Sequence, residues 1–322
     1  MTRTIVTRLL QLVPMLLIVG TTLFVLLHVT PGGPVVALAG EFAEADTIKL
    51  IEQQLGLDRP LSEQYLHFVG NLAIGDFGRS FFYKAPVLDV ILSRLPATLV
   101  LVVPSLLLSC ILGIPLGILA ARGGRTRGVV LVAALVILAM PVFWLGHLLR
   151  LNLSIALELF PVQGMRSARS EATGLASLAD IARHAALPVL TLTLNQLAFV
   201  VLLTRSSVTA AKARAFFRTA RAKGNSRTRA EFLHALPNGS LPIVTLFANR
   251  IGWFIAGSVL VETVFAWPGL GQLVTGAIAN RDRPLVIGIV LFATVVTLAA
   301  NLIADLYALW LDPRFAEQRG IP

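Results

Sequence analysis

The sequence predicts an all-α polytopic membrane protein with about six transmembrane helices. Of its 322 residues, 56% are hydrophobic and only 14% are charged, against about 25% charged in an ordinary soluble domain. The apolar residues gather in runs of about 20, the length that crosses about 30 Å of hydrocarbon as helix. The charge, net +10, lies largely between those runs and is most basic in alternate loops, as the positive-inside rule requires.

The basic balance alone would also suit nucleic acid, but no RNA- or DNA-binding signature accompanies it. The expected partner is the lipid bilayer, with no nucleic acid. The single cysteine, Cys110, lies inside an apolar run. An intrachain disulfide and a multi-cysteine metal site are therefore excluded.

Taken in order, Leu9 to Val29 is a nearly uncharged run preceded by Arg3 and Arg8, and reads as a first spanning helix. A cleaved leader competes, because Ala37-Leu38-Ala39 imitates a cleavage site; the run is too long for a leader core and Pro31-Gly32-Gly33-Pro34 intervenes. From Pro31 to about Pro96 the chain is polar and mixed in charge, an extramembrane segment outside the cytosol with amphipathic helices at Thr47–Leu55 and around Glu63–Asn71. Ala97 to Ala121 then spans inward to Arg122, Arg125 and Arg127, and Val129 to about Leu151 returns outward. Asn152 to Ala186 reads as a long loop with few structure signals. Leu187 to Leu203 comes back in, Leu241 to about Phe265 goes out, and Pro284 to Leu311 comes in before Asp312-Pro313-Arg314. Both termini are expected in the cytosol.

One polar stretch, Phe216 to Pro242, interrupts these runs. No breaker occurs from about Ser207 to Gly224, so a helix is expected there, with Gly224 at the left-handed position after its end. Asn225 and Ser226 can cap a second short helix, with Glu231 in or just past its first turns, before Pro237 and Pro242. At 100° per residue Arg214, Arg218 and Arg221 share a face, and Ala213, Phe216, Phe217 and Ala220 form an apolar arc beside it. A plain basic loop is the alternative on charge alone.

The spacing resembles the cytosolic loop of permease subunits of bacterial binding-protein-dependent ABC importers, whose pattern is Glu-Ala-Ala, three residues, Gly, nine residues, Ile-x-Leu-Pro. Arg218-Thr219-Ala220 takes the first place, Gly224 the glycine, and His234-Ala235-Leu236-Pro237 the last. Arg218 for glutamate and His234 for isoleucine both look like the peptide-importer branch, whereas Leu236-Pro237 is nearer the general pattern. Leu27–Val35 and Leu55–Phe81 also resemble that branch. So does Val261–Val286, with Glu262-Thr263-Val264-Phe265, Trp267-Pro268-Gly269-Leu270-Gly271 and Asn280-Arg281-Asp282. For these outer segments a folded loop that caps the bundle stands beside contact with a binding protein or a gating role. Pro268, Gly269 and Gly271 are expected to break the helix at the outer interface, with Trp267 in the aromatic belt.

The resemblance implies an ABC type I importer permease for di- or oligopeptides in the bacterial inner membrane, with a helix plus outer segment over 1–91, a core of five spans over 92–311 with a cytosolic coupling loop at 205–240, and a cytosolic tail over 312–322. It also implies a second homologous permease, cytosolic ATP-binding subunits, an extracytoplasmic solute-binding protein and a peptide substrate as partners. A permease for nickel or another small chelate is the alternative within the class, and a nucleotide-independent channel the alternative outside it. The sequence has no phosphate loop, since Gly123-Gly124-Arg125-Thr126 lacks the spacing and the lysine, and no zinc-protease or nucleophile-elbow motif. No catalytic residue, cofactor or metal is expected on this chain. Candidates for the translocation passage are Asn195, Gln196, Asn249, Arg250 and Glu262. Arg250 lies deep in its span, where a charge must be paired or face water. It either pairs with Asp305 or faces the passage and attracts a peptide carboxylate.

Overall fold

The computed structural model describes residues 2–29, 45–54, 56–167, 173–239 and 258–311. In chain order the helices are α1 (Thr2–Val29), α2 (Ala45–Gln54), α3 (Leu61–Ala73), α4 (Val87–Ala120), α5 (Gly124–Ala139) and α6 (Val142–Leu149), the last continued by a π-helical turn, Arg150–Ala156. There follow α7 (Leu175–Ala213), α8 (Ala215–Ala222) and α9 (Arg227–Ala230), continued by a second π-helical turn, Glu231–Ala235. Residues 258–264 are helical, and α10 (Leu270–Ala279) and α11 (Arg283–Leu311) complete the order.

Among the described residues three helices are long and apolar enough to cross a membrane: α4, α7 and Arg283–Tyr307 of α11. The pair α5–α6 passes the same test together but bends by 102°. In α1 the stretch Val13–Leu26 is apolar. The predicted fifth span, Leu241 to about Phe265, lies mostly outside the described residues, as does the tail from Asp312.

Four boundaries differ from the expectation. The second span begins at Val87 rather than Ala97, because Asp89, Ser93 and Arg94 extend the apolar helix by a polar overhang that hydropathy does not count. The outward return is not one helix. Pro141 has no N–H to give, and it holds Met140 extended at φ −82°, ψ 128°, which ends α5. The loop read over 152–186 is helical from Leu175 onward, since the alanine-rich LASLADIARHAAL has high helix propensity and Pro188 is carried inside the 39-residue helix. Finally, α7 ends at Ala213 with Arg214 extended (φ −80°, ψ 153°), so Arg214 precedes α8 and does not share its face with Arg218 and Arg221.

The chain forms two compact units, Met1–Pro96 with Gly269–Leu298, and Ala97–Pro268 with Ala299–Pro322. In the first, α1 lies on α3 through aromatic rings: Phe24 stacks on Phe68 at 5.6 Å and meets Tyr65 edge-on, while Thr21 Oγ1 and Tyr65 OH are 2.7 Å apart. Its core joins Val87, Val90 and Ile91 to Leu270, Leu273, Leu285 and Ile289. The amphipathic helices expected in the polar segment are α2 and α3.

In the second unit α4 and α7 approach closely at Gly113 and Gly117. A Cβ on Gly117 would stand 2.6 Å from Thr204 Cβ and 2.9 Å from the Val201 carbonyl oxygen. Two small residues four apart let helix backbones meet; this pair was not singled out from the sequence. Trp267 is not in an interfacial belt. It is fully buried, packs with Leu101, Leu187 and Phe265, and donates Nε1–H to the Ala97 carbonyl at 2.8 Å. The ring fills the core because its one polar atom finds a carbonyl there.

Candidate functional site

The central polar stretch folds as helix, turn, helix. Gly224 sits at φ +86° with nothing within 4 Å of the place a Cβ would take, so backbone conformation alone asks for glycine. Asn225 Nδ2 donates to the Ala220 carbonyl at 3.0 Å and Arg221 Nη1 to the Asn225 carbonyl at 2.5 Å, closing the turn. Ser226 caps α9 by accepting the Arg229 N–H at 3.2 Å.

The element is two-faced. Arg218, Thr219, Arg221 and Lys223 are exposed, whereas Ala220, Ala230 and Ala235 are buried and Phe216, Phe217 and Leu236 are half-buried. Of these, Ala235, Phe216, Phe217 and Leu236 pack on Ile118 at the end of α4 and on Val208 and Ala211 near the end of α7. His234 is half-buried and Pro237 exposed.

Beneath the turn lies a group that the sequence reading placed but gave no role. Glu231, the first residue of the π-helical turn, has no exposed surface. Its carboxylate oxygens receive Arg122 Nε at 2.7 Å, Lys212 Nζ at 2.5 Å and Arg227 Nε at 3.3 Å. Arg122 Nη2 also donates to Thr228 Oγ1 at 2.8 Å, Arg227 Nη2 to the Arg122 carbonyl at 2.9 Å, and Lys212 Nζ to the Ala121 carbonyl at 3.3 Å. Burial pushes the carboxyl pKa up, but hydrogen bonds and charge from Lys212 and Arg122 outweigh it, and the net shift is downward. A lone acid between two basic segments was the available signal in the sequence.

The passage candidates are placed unevenly. Gln196 is buried and Asn195 half-buried on α7. Glu262 is fully buried and accepts from Thr98 Oγ1 at 2.9 Å. Asn249 and Arg250 lie outside the described residues, and so does any pairing of Arg250 with Asp305, which is half-buried on α11. Among the described residues no group of three or more His, Cys, Asp or Glu side chains is placed to hold a metal ion.

Several long apolar helices, with a basic helix-turn-helix clamped to the ends of two of them, define a multi-pass membrane protein that carries a folded, exposed basic element. The family Binding-protein-dependent transport system inner membrane component matches residues 113–317, and its N-terminal counterpart, Binding-prot-dependent transport system membrane comp, N-term, matches residues 1–102. The chain belongs to this family: it is a multi-pass inner-membrane permease component of a binding-protein-dependent transport system, with ATP hydrolysis on a separate subunit. It is 36% identical over 315 residues to the oligopeptide transport system permease protein AppB of Bacillus subtilis (strain 168), covering 96% of this chain and 98% of that one. It is 36% identical over 311 residues to the glutathione transport system permease protein GsiC of Escherichia coli (strain K12), covering 96% and 97%. With the dipeptide transport system permease protein DppB of the same strain it shares 35% over 323 residues, covering 94% and 95%. Family membership removes the nucleotide-independent channel.

Proposed function

We propose that this chain is the permease subunit of an ATP-driven importer of short peptides. In this reading it forms the translocation passage with a second, homologous permease. An extracytoplasmic solute-binding protein delivers the peptide, and cytosolic ATPase subunits receive the α8–turn–α9 element in a groove. The carrying observation for coupling is the two-faced element, with Arg218 and Arg221 outward and Phe216, Ala220 and Ala235 inward. A folded basic face presented this way suits a partner's groove, and a plain basic loop would not need it. The peptide cargo is supported by the relatives, whose names print oligopeptide, dipeptide and glutathione.

On ATP-driven closure of the ATPase subunits, the docked elements approach one another and the packed helices switch from inward-facing to outward-facing. No covalent chemistry falls to this chain. Asn195, Gln196, Asn249, Arg250 and Glu262 remain the residues proposed to line or border the passage, with Glu262 buried in the described arrangement.

Two measurements test the reading. Purified through a tag on this chain, the complex should contain ATPase subunits, and vesicles carrying it with its binding protein should accumulate labelled di- and tripeptides only with ATP. Topology is checked with single cysteines in a Cys110→Ser background, which removes the one native thiol. Ser167 and Ser226 are both exposed. An impermeant thiol reagent on intact cells should label Ser167→Cys and spare Ser226→Cys; the reverse pattern overturns the orientation.

A further inference from the structure

The docking element is small. Its buried surface is mainly alanine, with Phe216 and Phe217 half-covered, and a shallow apolar contact of that kind can slide. Hydrogen-bonded ion pairs are different: they are directional and hold both distance and angle. All the strong ones here converge on Glu231.

Its three cations come from three places. Arg227 belongs to α9 itself, Lys212 to the last turn of α7, and Arg122 to the turn after α4. Two of these are the ends of long helices apolar enough to cross a membrane. Arg122 and Arg227 are further tied to each other through the Arg122 carbonyl, and Lys212 to the Ala121 carbonyl. Glu231 also opens a π-helical turn, a distortion of the backbone that recurs at functional positions. The carboxylate has no exposed surface of its own and is covered by the cations that bind it.

We propose that Glu231 is a positioning residue for transport: it is the rigid joint through which displacement of the α8–turn–α9 element reaches α4 and α7 together. This rests on the reading that the element docks on an ATPase. A merely structural ion pair would hold the fold and leave the ratio of peptide moved to ATP hydrolysed unchanged. A joint sets that ratio.

The test uses the complete transporter in proteoliposomes, with uptake of a labelled tripeptide that the wild type accumulates and ATP hydrolysis measured on the same sample. Glu231→Gln should still capture the ATPase subunits but lower the uptake-to-hydrolysis ratio by about fivefold or more, the low end of an ordinary coupling energy between sites. A second variant, Arg122→Cys with Glu231→Cys in the Cys110→Ser background, re-forms the link covalently. A short thiol crosslinker should raise its ratio back toward wild type, and a crosslinker cleaved by reductant should lose that gain on reduction. Capture with a wild-type ratio in Glu231→Gln overturns the joint alone. If Glu231→Gln does not assemble, the crosslinked pair decides: equal ratios with and without the link, or a link that abolishes uptake, refute a joint that stays closed through the cycle. Failure of the wild-type chain to capture any ATPase subunit overturns the docking reading and takes the joint with it.

Discussion

Among the fully buried acids, Glu231 in one compact unit and Asp282 in the other are held in opposite ways. Glu231 is surrounded by cations on long side chains. Asp282 is held by neutral donors: Ser80 Oγ–H at 2.5 Å, the N–H groups of Phe81 and Phe82 at 3.2 and 3.1 Å, and that of Leu285, in the first turn of α11, at 3.3 Å. The donors to Asp282 lie up to 202 positions away, but they are one short hydroxyl and backbone N–H groups, which fix a loop rigidly against the start of a helix. Long cationic arms from the end of α7 and from the turn after α4 instead converge with Arg227 of α9 on one carboxylate and join three elements there. The first arrangement suits a static cap and the second a link between a docking element and the helices it serves.

The largest effects should come from removing the acids. Glu231→Leu leaves Arg122 and Lys212 facing a buried apolar group and should lower stability by about 3–5 kcal/mol, whereas Asp282→Ala, which strands neutral donors, should lose about 1–3 kcal/mol. Thermal unfolding of the detergent-purified protein measures both. The sharper contrast keeps the shape and removes only the charge: Glu231→Gln should cost more than Asp282→Asn, because an amide oxygen still accepts from N–H but does not neutralise three cations. The opposite order would break the comparison.

Close helix approach gives a second contrast of the same kind. Gly117→Ala puts a methyl against the Val201 carbonyl, which belongs to the α7 backbone and cannot rotate away. It should cost about 1–3 kcal/mol by overpacking. Gly288→Ala in the other unit drives its methyl into Cγ1 of Val87, a stiff β-branched side chain with no exposed surface, and should cost at least as much. A clearly smaller loss for Gly288→Ala, read from the same melts, would mean that the Val87 side chain moves aside while the α7 backbone does not.

Smaller still is the turn. With open space around Gly224, only its left-handed backbone resists substitution, so Gly224→Val should cost about 1 kcal/mol and Gly224→Asn a few tenths. A loss in the valine variant as large as that of Glu231→Leu would show that the turn, rather than the ion pairs, holds the element.

The smallest effect is on pH. The folded pKa of Glu231 is lowered, so its contribution to stability is complete above the unfolded value of about 4.3 and is lost as pH falls through the lowered folded value. Melting temperature should therefore show no Glu231-dependent change between pH 6 and 8. The gap between wild type and Glu231→Gln should close only below about pH 4. A gap that closes near neutrality would mean that the carboxyl is not held ionised by its cations.

Much of this protein was legible one residue after another. Helix-length apolar runs, basic loops, the left-handed glycine at 224 and the Ser226 cap depend on local chemistry, and the structure has the last two where the sequence put them. Hydropathy misplaced what packing sets. Nothing local distinguishes a tryptophan for the membrane surface from one that fills the core, and Trp267 went inside because the Ala97 carbonyl was there to meet its N–H. The break at Pro141 was readable in principle, since proline and the residue before it both resist helix, but an unbroken apolar count hid it.

By itself the sequence determined the class: an all-helical membrane chain with one polar helix-turn-helix, because solvent preference and turn chemistry act on single residues and short windows. Tertiary structure alone decided that Arg122 and Lys212 would join Arg227, which stands only four residues from Glu231, on one carboxylate, and that Gly113 and Gly117 would face Val200 and Thr204. Those partners lie up to 109 positions apart, and no local pattern encodes a meeting that exists only once the helices have packed.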